Sequence, residues 1–347
     1  MNNLIKRIKT REFLDLSHTN PVIDVRSPGE FEQGHIPGAV NIPLFNNDER
    51  TEIGTLYKRK GREEAILKGF EKAGPKMKYF LKEGIKHAGK NSKMLVHCWR
   101  GGMRSENMAW LFSKVDIECF VLEGGYKSYR NHINTFLSEP RKLIILGGLT
   151  GSGKTDILMH LKESGEQVID LEELANHRGS AFGALGKSGQ PTSEYFSNIL
   201  YNEMIKTDPG KRLFLEDESM NIGSVFLPES IFKMIRESKV IALIQDVKTR
   251  IPRLLEDYGA FSKDQLKESV RKIEKRLGGA RAMEAIVAID EDRLGEAIEI
   301  VLSYYDKTYR YGLEQREKKN IHLLETDTSD PYINSQLVLK IVNRLKI

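Results

Sequence analysis

A cysteine in a glycine- and arginine-rich loop is the first feature of this 347-residue sequence that could carry out chemistry. Cys98 directly follows an apolar run at 94–97 and precedes two adjacent glycines. Successive backbone amides in such a loop can bind an anion, and the positive end of a following helix strengthens the binding. Arg100 and Arg104 would further stabilise a thiolate. The pattern therefore predicts that Cys98 is a nucleophile with Arg100 and Arg104 beside it.

A second candidate site is a glycine-rich segment in the other half of the chain. Residues 148–155 match the pattern G-x-x-x-x-G-K-[ST], with an apolar run before them and a helical pattern after them. In such a P-loop the backbone amides bind phosphate oxygens, the lysine supplies a point charge and the hydroxyl can hold Mg²⁺. The predicted phosphate-binding or diphosphate-binding residues are Gly148, Gly151, Ser152, Gly153, Lys154 and Thr155.

Three consecutive acids, Glu216, Asp217 and Glu218, follow a later apolar run at 213–215. An acid at the end of a strand beside a P-loop commonly positions Mg²⁺ or a nucleophile. Mg²⁺ is accordingly predicted at Thr155 and Asp217. The alternative is a solvated strand end, which would accommodate the same three acids without any ligand.

The apolar runs of the second half predict a parallel α/β sheet with helices on both faces, and those of the first half predict buried strands. Cys119 lies in a plain strand pattern, and we predict that it is a core residue. The chain length fits two domains, which we place at 1–138 and 139–347, the second ending in helical segments. The predicted strands are 21–25, 94–97, 143–146, 168–170, 213–215 and 240–245.

Composition excludes several classes of protein. Hydrophobic residues at 39% and charged residues at 30% are typical of an ordinary globular protein. No apolar run approaches the ~20 residues of a membrane span, and the N-terminal residues lack the apolar core of a secretory signal, so we expect a cytoplasmic protein without a membrane partner. Two cysteines cannot build a disulfide framework or a four-cysteine metal site.

The net charge of +5 and the pI of about 8.9 permit an RNA partner without demonstrating one. A basic run at 58–62 stands in a long connection between the first two predicted strands of the first half. Such a run is either a solvated face or an RNA contact.

Three segments of the first half resemble the signatures of the rhodanese fold. Residues 24–31 and 34–43 resemble its first signature, and residues 122–126 resemble its last. Five residues separate Cys98 from Arg104, whereas many simple sulfurtransferases of this fold have four. The longer loop is similar to that of phosphatase-type relatives, and it suggests a substrate that carries a phosphate group.

The pairing of the two halves resembles the tRNA 2-selenouridine synthase family from about Leu14 to about Tyr311. The resemblance implies a rhodanese-like domain fused to a P-loop NTPase-like domain. It also implies conversion of wobble 2-thiouridine to 2-selenouridine in tRNAs for Lys, Glu and Gln. Geranyl diphosphate would first alkylate the sulfur, and selenophosphate would then supply selenium through an S-selanyl intermediate on Cys98. The resemblance rests on the segments 98–105, 177–183, 190–192 and 216–219.

The same resemblance implies further residues and partners. Arg178, Ser180 and Gln190 would line the prenyl diphosphate pocket or order its loops. No tightly bound cofactor is expected, and Mg²⁺ is the one ion suggested. The partners would be tRNA and an enzyme that supplies selenophosphate.

Two other functions fit the residues. The spacing of Cys98 and Arg104 also suits a phosphatase or an arsenate-reductase-like enzyme fused to a nucleotide switch. The P-loop also suits an ATP-dependent RNA or metabolite kinase whose rhodanese-like domain only binds a partner. A purely structural module is the weakest reading, because one chain carries two separate anion-binding loops.

Overall fold

The computed structural model describes residues 4–345, and the chain divides into two compact units. The first unit runs to Phe136 and also takes in Ser197–Ile199, while the second comprises Leu137–Phe196 and the chain from Leu200 onward. Each unit has a parallel five-stranded sheet, which confirms the predicted fold class of two α/β domains. Among the described residues, no helix has the length and apolar character needed to cross a membrane.

The sheet of the first unit has the strand order β1-β5-β4-β2-β3. Its central strand β4 exposes only Lys93, as expected where helices cover both faces of a parallel sheet. The strands are β1 (Ile5–Ile8), β2 (Val22–Asp24), β3 (Val40–Asn41), β4 (Lys93–His97) and β5 (Glu118–Leu122). The helices are α1 (Thr10–Ser17), α2 (Pro28–Gln33), α3 (Asn47–Lys60), α4 (Arg62–Ala73), α5 (Met77–Ala88), α6 (Met103–Ser113) and α7 (Gly125–Phe136).

The core of the first unit includes Val96, Phe112 and Cys119. Cys119 is fully buried, and burial raises the pKa of its thiol to about 12. The predicted core role of this cysteine is therefore confirmed. The long connection between β3 and β4 is helical, since α3, α4 and α5 fill it.

The sheet of the second unit has the strand order β12-β11-β6-β8-β7. Its strands are β6 (Leu143–Gly148), β7 (Gln167–Val168), β8 (Leu213–Glu216), β11 (Lys239–Ile244) and β12 (Ile321–Glu325), and an antiparallel pair is formed by β9 (Asn221–Ile222) and β10 (Val225–Phe226). The helices are α8 (Lys154–Glu163), α9 (Leu171–Leu174), α10 (Ser193–Met204), α11 (Glu229–Glu237), α12 (Val247–Tyr258), α13 (Lys263–Leu277), α14 (Gly279–Asp290), α15 (Leu294–Glu314) and α16 (Pro331–Arg344).

One predicted strand of the second unit is displaced. The strand expected at 168–170 is β7, which ends at Val168. Asp170 instead caps α9, because its carboxylate accepts a hydrogen bond from the amide of Glu173.

Both candidate loops begin at the carboxyl end of a central strand. Cys98 follows β4, which lies between β2 and β5, and the P-loop follows β6, which lies between β8 and β11. Parallel strands all end at the same edge of a sheet, so the loops after neighbouring strands meet there. This topology places residues from distant parts of the sequence beside each loop.

Helices α12 to α15 pack around an apolar core of their own within the second unit. On α13 the residues Leu266, Val270, Ile273 and Leu277 recur at helical spacing and are buried. They pack with residues of α14 and α15 such as Ala285 and Leu302. This helical subdomain supplies one wall of the site described below.

Candidate functional site

The loop that carries Cys98 has a backbone path set by the neighbouring turn after β5. The carbonyl of Cys98 accepts a hydrogen bond from the amide of Tyr126 at 2.8 Å, and that of Trp99 accepts one from Lys127 at 3.0 Å. Gly101 adopts a φ of 63°, and a Cβ there would collide with the carbonyl oxygen of Leu122. Only glycine fits at this close approach.

Four consecutive backbone amides of this loop are available to a ligand. In the described part of the chain, the amides of residues 99–102 donate to no carbonyl or side chain. The thiol of Cys98 is buried, with 3% of the residue exposed, and its Sγ lies 3.2 Å from the hydroxyl of Ser105. That hydroxyl donates to the carbonyl of Gly102 at 3.0 Å, which leaves its oxygen as the acceptor for the thiol proton. The loop thus combines a sulfur atom with unused donors for an anion.

Ser105 is a site residue that we did not select from the sequence. Its position directly after Arg104 was the available signal, because the hydroxyl of the first helical turn faces the start of the loop. Its hydroxyl contacts the sulfur atom of Cys98.

The two arginines of the loop differ in their surroundings. Arg104 forms a two-pronged ion pair with Glu30, at 2.7 and 3.2 Å. Burial by itself would lower the pKa of Arg104, but the hydrogen bond and charge of Glu30 and the charge of Cys98 together raise it. Arg100 is exposed and forms no ion pair with the residues that the structure describes. Glu30 therefore fixes the position of the Arg104 guanidinium, whereas the Arg100 side chain is available to bind a ligand.

A buried ion pair supports the floor of this loop. Arg26 and Asp24 are fully buried and joined at 2.6 Å, and Arg26 also donates to the carbonyl of Gly34 at 2.7 Å. The guanidinium of Arg26 stacks on the ring of Tyr126 at 3.8 Å. Since Tyr126 donates its amide to Cys98, this cluster links the end of β2 to the cysteine.

The P-loop of the second unit has the backbone that its glycines predict. Gly148, Gly151 and Gly153 have φ values of 155°, 83° and 76°, a conformation that other residues rarely adopt. The ammonium of Lys154 donates to the carbonyl of Gly148 at 3.3 Å. The hydroxyl of Ser152 is buried and has no hydrogen-bond partner among the described residues. A phosphate oxygen would satisfy this hydroxyl, so the loop fits its predicted ligand.

The three acids after β8 have different environments. Glu216 is fully buried and accepts hydrogen bonds from the Thr155 hydroxyl at 3.4 Å and from the amide of Glu172 at 3.2 Å. Asp217 forms ion pairs with Arg316 and, at 3.8 Å, with Arg236.

In the structure Asp217, which the sequence pattern assigns with Thr155 to a Mg²⁺ site, pairs with arginines, and Glu216 is the acid that contacts Thr155. The carboxylate of Asp217 is already neutralised by two arginines. Among residues 4–345, no group of three or more His, Cys, Asp and Glu side chains is arranged to hold a metal ion. Thr155 and Glu216 alone still fit Mg²⁺, which commonly binds one or two protein groups together with substrate phosphates.

Glu218, Glu216 and Glu172 form a carboxyl cluster near Lys154. Burial, and then the charges of the neighbouring carboxylates, raise the pKa of Glu216 and of Glu218 well above 4.5. Burial also raises the pKa of Glu172, against the opposing charge of Lys154. The solvated strand end is thereby excluded for Glu216 and Glu218, which are both buried.

Replacing Glu218 by glutamine should stabilise the protein more at pH 8 than at pH 5. The folded state holds the Glu218 proton more tightly than the unfolded chain, so stability falls as the pH rises from 4.5 towards the raised pKa. Each pKa unit corresponds to about 1.4 kcal/mol, and ~1 kcal/mol shifts the Tm of a unit of this size by about 2–4 °C. Thermal unfolding of both proteins at the two pH values tests this, with the exposed Glu229→Gln as control. A larger gain at pH 5 would contradict it.

Gln190, Arg178 and Ser180 lie on the segment that covers this cluster. The Gln190 amide nitrogen donates to the carbonyls of Ala175 and Ile222, each at 2.9 Å, and its oxygen accepts from the amide of Ser224 at 2.8 Å. Gln190 therefore joins neighbouring loops, and it is not among the residues that line the apolar cavity described below.

Arg178 and Ser180 differ from Gln190 in their contacts. Arg178 is exposed and pairs with Asp257 at 3.1 Å. Ser180 lines an apolar cavity that begins at Thr150 of the P-loop.

The sequence pattern gave no sign of this apolar cavity. Its volume is about 40 Å³, whereas one water molecule needs about 10–15 Å³. Water loses hydrogen bonds in an apolar space, so this lining favours a hydrocarbon group over water. Burial raises the pKa of Tyr305 in its wall to about 12, so that hydroxyl is neutral. The lining residues are Thr150, Ser180, Phe182, Leu254, Tyr258, Leu266, Val270, Ile289, Leu294, Ala297, Ile298, Val301, Leu302 and Tyr305.

Two arginines of α12 connect this subdomain to the P-loop. Arg250 is buried, pairs with Asp306 at 2.6 Å and donates to the carbonyl of Thr150 at 2.9 Å. Arg253 pairs with Asp156 at 2.6 Å, and its guanidinium lies against Gly153. Arg250 therefore holds the loop in place, and Arg253 is a second cation at the phosphate-binding end of α8.

Two family descriptions match the chain. The family described as the tRNA 2-selenouridine synthase AAA domain matches residues 141–337, and the rhodanese-like domain family matches residues 9–132. These ranges contain the P-loop with its cavity and the Cys98 loop, respectively.

Three curated relatives are each described as tRNA 2-selenouridine synthase. The protein of Nitrosomonas europaea is 38% identical over 245 residues, which cover 69% of this chain and 63% of that relative. The protein of Shewanella pealeana is 33% identical, covering 88% of this chain and 92% of the relative. For Bdellovibrio bacteriovorus the identity is 34%, covering 90% and 94%. The chain therefore belongs to the tRNA 2-selenouridine synthase family.

Proposed function

We propose that this protein converts a 2-thiouridine of tRNA to 2-selenouridine in two steps, geranylation at the P-loop and selenation at Cys98. The names of the relatives support selenouridine synthesis on tRNA. The observation that carries the first step is the apolar cavity whose lining includes Thr150 of the P-loop. A diphosphate bound to that loop would place an attached hydrocarbon chain beside this apolar space.

In the first step the thiouridine sulfur attacks C1 of geranyl diphosphate. The S–C bond forms, the C1–O bond breaks with its electron pair on the diphosphate, and the N3 proton of the base is released. Lys154 and the P-loop amides stabilise the charge that develops on the leaving diphosphate, and Arg253 adds a further cation. Thr155 and Glu216 would hold Mg²⁺ against the diphosphate, where the ion supplies more positive charge. No nucleotide is consumed.

The wall of the cavity should set the length of the prenyl chain that is transferred. Ala297 is buried in this wall, so Ala297→Phe should lower kcat/KM for geranyl diphosphate by at least ~10-fold while changing that for dimethylallyl diphosphate much less. The reason is that only the longer chain reaches the filled space. Parallel assays with the two diphosphates measure the ratio. Glu299→Phe, at an exposed position of the same helix, is the matched control. An equal loss with both substrates would contradict the assignment.

In the second step the Cys98 loop handles selenophosphate. The free amides of 99–102 and the guanidinium of Arg104 bind its phosphate group, and Arg100 is available as a further donor. The Cys98 thiolate attacks selenium, the S–Se bond forms, and the Se–P bond breaks with its electron pair on phosphorus, so that phosphite leaves. Selenium then attacks C2 of the S-geranylated base and geranylthiolate leaves. Two molecules of a thiol reductant then reduce the S–Se bond, which releases 2-selenouridine and free Cys98 and joins the two thiols as a disulfide.

The proposal is tested with an anticodon stem-loop that contains 2-thiouridine. The protein and RNA are incubated with geranyl diphosphate in the absence of ATP, selenophosphate and a thiol are then added, and the nucleosides are analysed by mass spectrometry. We expect S-geranylated and then selenated uridine in sequence. Neither product with an authentic modified tRNA would exclude the proposal. Release of phosphate from aryl phosphates would instead favour the phosphatase, and ATP turnover that needs Lys154 but not Cys98 would favour the kinase.

A further inference from the structure

We infer that the turn between α3 and α4, at residues 57–62, is a docking surface for the phosphate backbone of the RNA substrate at the rim of the Cys98 loop. The inference rests on the proposed function, because it assigns the RNA of that reaction to one surface of the first unit. The sequence pattern at 58–62 fits two interpretations, a solvated face or an RNA contact.

The distribution of charge along the chain favours the RNA contact. The helical segment 47–91 contains 12 Lys and Arg residues but only 7 Asp and Glu residues, a net charge of +5. The rest of the chain contains 42 Lys and Arg residues and 42 Asp and Glu residues, so its net charge is zero. The net charge of the whole protein, +5, therefore equals that of this segment. A local excess of this kind attracts a polyanion, because the cations of the segment outnumber its acids, which include Glu63 and Glu64 in the first turn of α4.

The cations of the turn form no ion pair with the described residues. Elsewhere in the segment, half-buried lysines are neutralised, such as Lys72 by Glu52 at 3.1 Å and Lys76 by Glu49 at 2.6 Å. Within 47–91, the cations that form no ion pair with the described residues are Lys58, Arg59, Lys60, Arg62, Lys78, Lys82 and Lys90. Four of these seven are clustered around Gly61, where α3 ends and α4 begins.

Helix stability does not account for all four of the clustered cations. Lys58, Arg59 and Lys60 lie in the last turn of α3, where positive charge complements the helix dipole. Arg62, in contrast, is the first residue of α4, where the dipole disfavours a cation. An external anion would explain a positive charge at that position.

The turn lies beside the chemistry assigned to the first unit. The guanidinium Nη2 of Arg62 is 3.8 Å from the sulfur of Met103, the first residue of α6 and the end of the Cys98 loop. Arg100 on that loop is also exposed and without an ion pair among the described residues. The cations therefore lead from α3 to the rim of the loop. Tyr57, 59% exposed at the start of the run, adds an aromatic face on which an unstacked base can stack.

The test compares two charge-reversal variants of the full chain. K58E/R59E/K60E changes the proposed surface, and K233E/K319E/K340E changes three exposed lysines of the second unit by the same total charge. Binding of a 2-thiouridine anticodon stem-loop is measured by fluorescence anisotropy at several salt concentrations. We expect the first variant to bind at least ~30-fold more weakly at about 0.1 M salt, with the slope of log Kd against log salt reduced by about 2. The control variant should keep the slope and affinity of the unmodified protein.

Further measurements separate this inference from the proposed function. The first variant should unfold at the same temperature and bind geranyl diphosphate as tightly as the unmodified protein, since neither property involves the turn. Tyr57→Ala should weaken RNA binding, and Tyr57→Phe should preserve it, because stacking needs only the ring. Equal RNA affinity and slope in both triple variants would overturn the inference. Binding to anionic phosphatidylserine vesicles is measured as well, and a first variant that lost vesicle binding but kept RNA binding would also overturn it. In either case the proposed function stands if the protein without substitutions selenates the RNA. If that protein selenates no RNA, the proposed function itself is refuted.

Discussion

Replacing Cys98 by alanine should abolish selenation of an S-geranylated RNA and leave its geranylation unchanged. In the proposed reaction the Cys98 thiol is the nucleophile of the second step only, and the P-loop to which the first step is assigned belongs to the second unit. Loss of a nucleophile typically costs a factor of roughly 10³ or more in rate. The measurement is the yield of selenated nucleoside from RNA that was geranylated beforehand, with the yield of geranylated nucleoside measured in parallel.

Cys119→Ala is the matched control for this experiment, because the chain has two cysteines and only one of them is placed in a loop. Cys119 is fully buried in a strand, and burial keeps its thiol protonated by raising its pKa to about 12. This variant should retain both reactions at nearly the original rate, although the small cavity lowers stability by roughly 1 kcal/mol. If Cys98→Ala still selenated the RNA, the assignment of the second step to this loop would be wrong.

Replacing Lys154 by methionine should produce the opposite result, with geranylation lost and selenation retained. Methionine keeps most of the length of the side chain but removes the charge that we propose stabilises the leaving diphosphate. Removal of one such electrostatic contact commonly lowers kcat by about 10²–10³. The measurement is the initial rate of geranylation without ATP, followed by selenation of RNA that already carries the geranyl group.

Lys162→Met provides the control for Lys154→Met. Lys162 is exposed near the other end of α8, so its loss removes the same charge from the same helix without touching the P-loop. We expect this variant to geranylate RNA normally. Together, Cys98→Ala and Lys154→Met should separate the two steps completely. A single variant that abolished both reactions, while remaining folded, would refute the assignment of the steps to two independent loops.

The positions of both loops could be predicted from the sequence because each is a local feature. An apolar run, a glycine-rich turn and a helical pattern follow one another within about 20 residues in each case. The backbone conformations are also local, since the positive φ values at Gly101 and Gly151 need glycine at those positions. The prediction that Cys98 joins a strand to a helix is therefore confirmed, as is the P-loop between β6 and α8.

The partners of the site residues could not be predicted, because they are distant in sequence. Glu30 holds Arg104 across 74 positions, and Arg316 neutralises Asp217 across 99. Nothing in the run of three acids distinguishes Asp217 from Glu216, since all three have the same local pattern. The structure separates them through the arginines that pack against one and not against the other.

The sequence by itself determined which residue types stand at the ends of the central strands, because strand, turn and helix patterns depend on near neighbours. Tertiary structure alone decided which acid meets Thr155 and where an apolar cavity opens beside the P-loop. The residues of α13 that line this cavity follow the same apolar spacing as any core helix. Whether the side chains of such a face pack closely or leave a cavity depends on how four separate helices pack together. The hydrophobic period of one helix does not specify the shapes of the helices that pack against it.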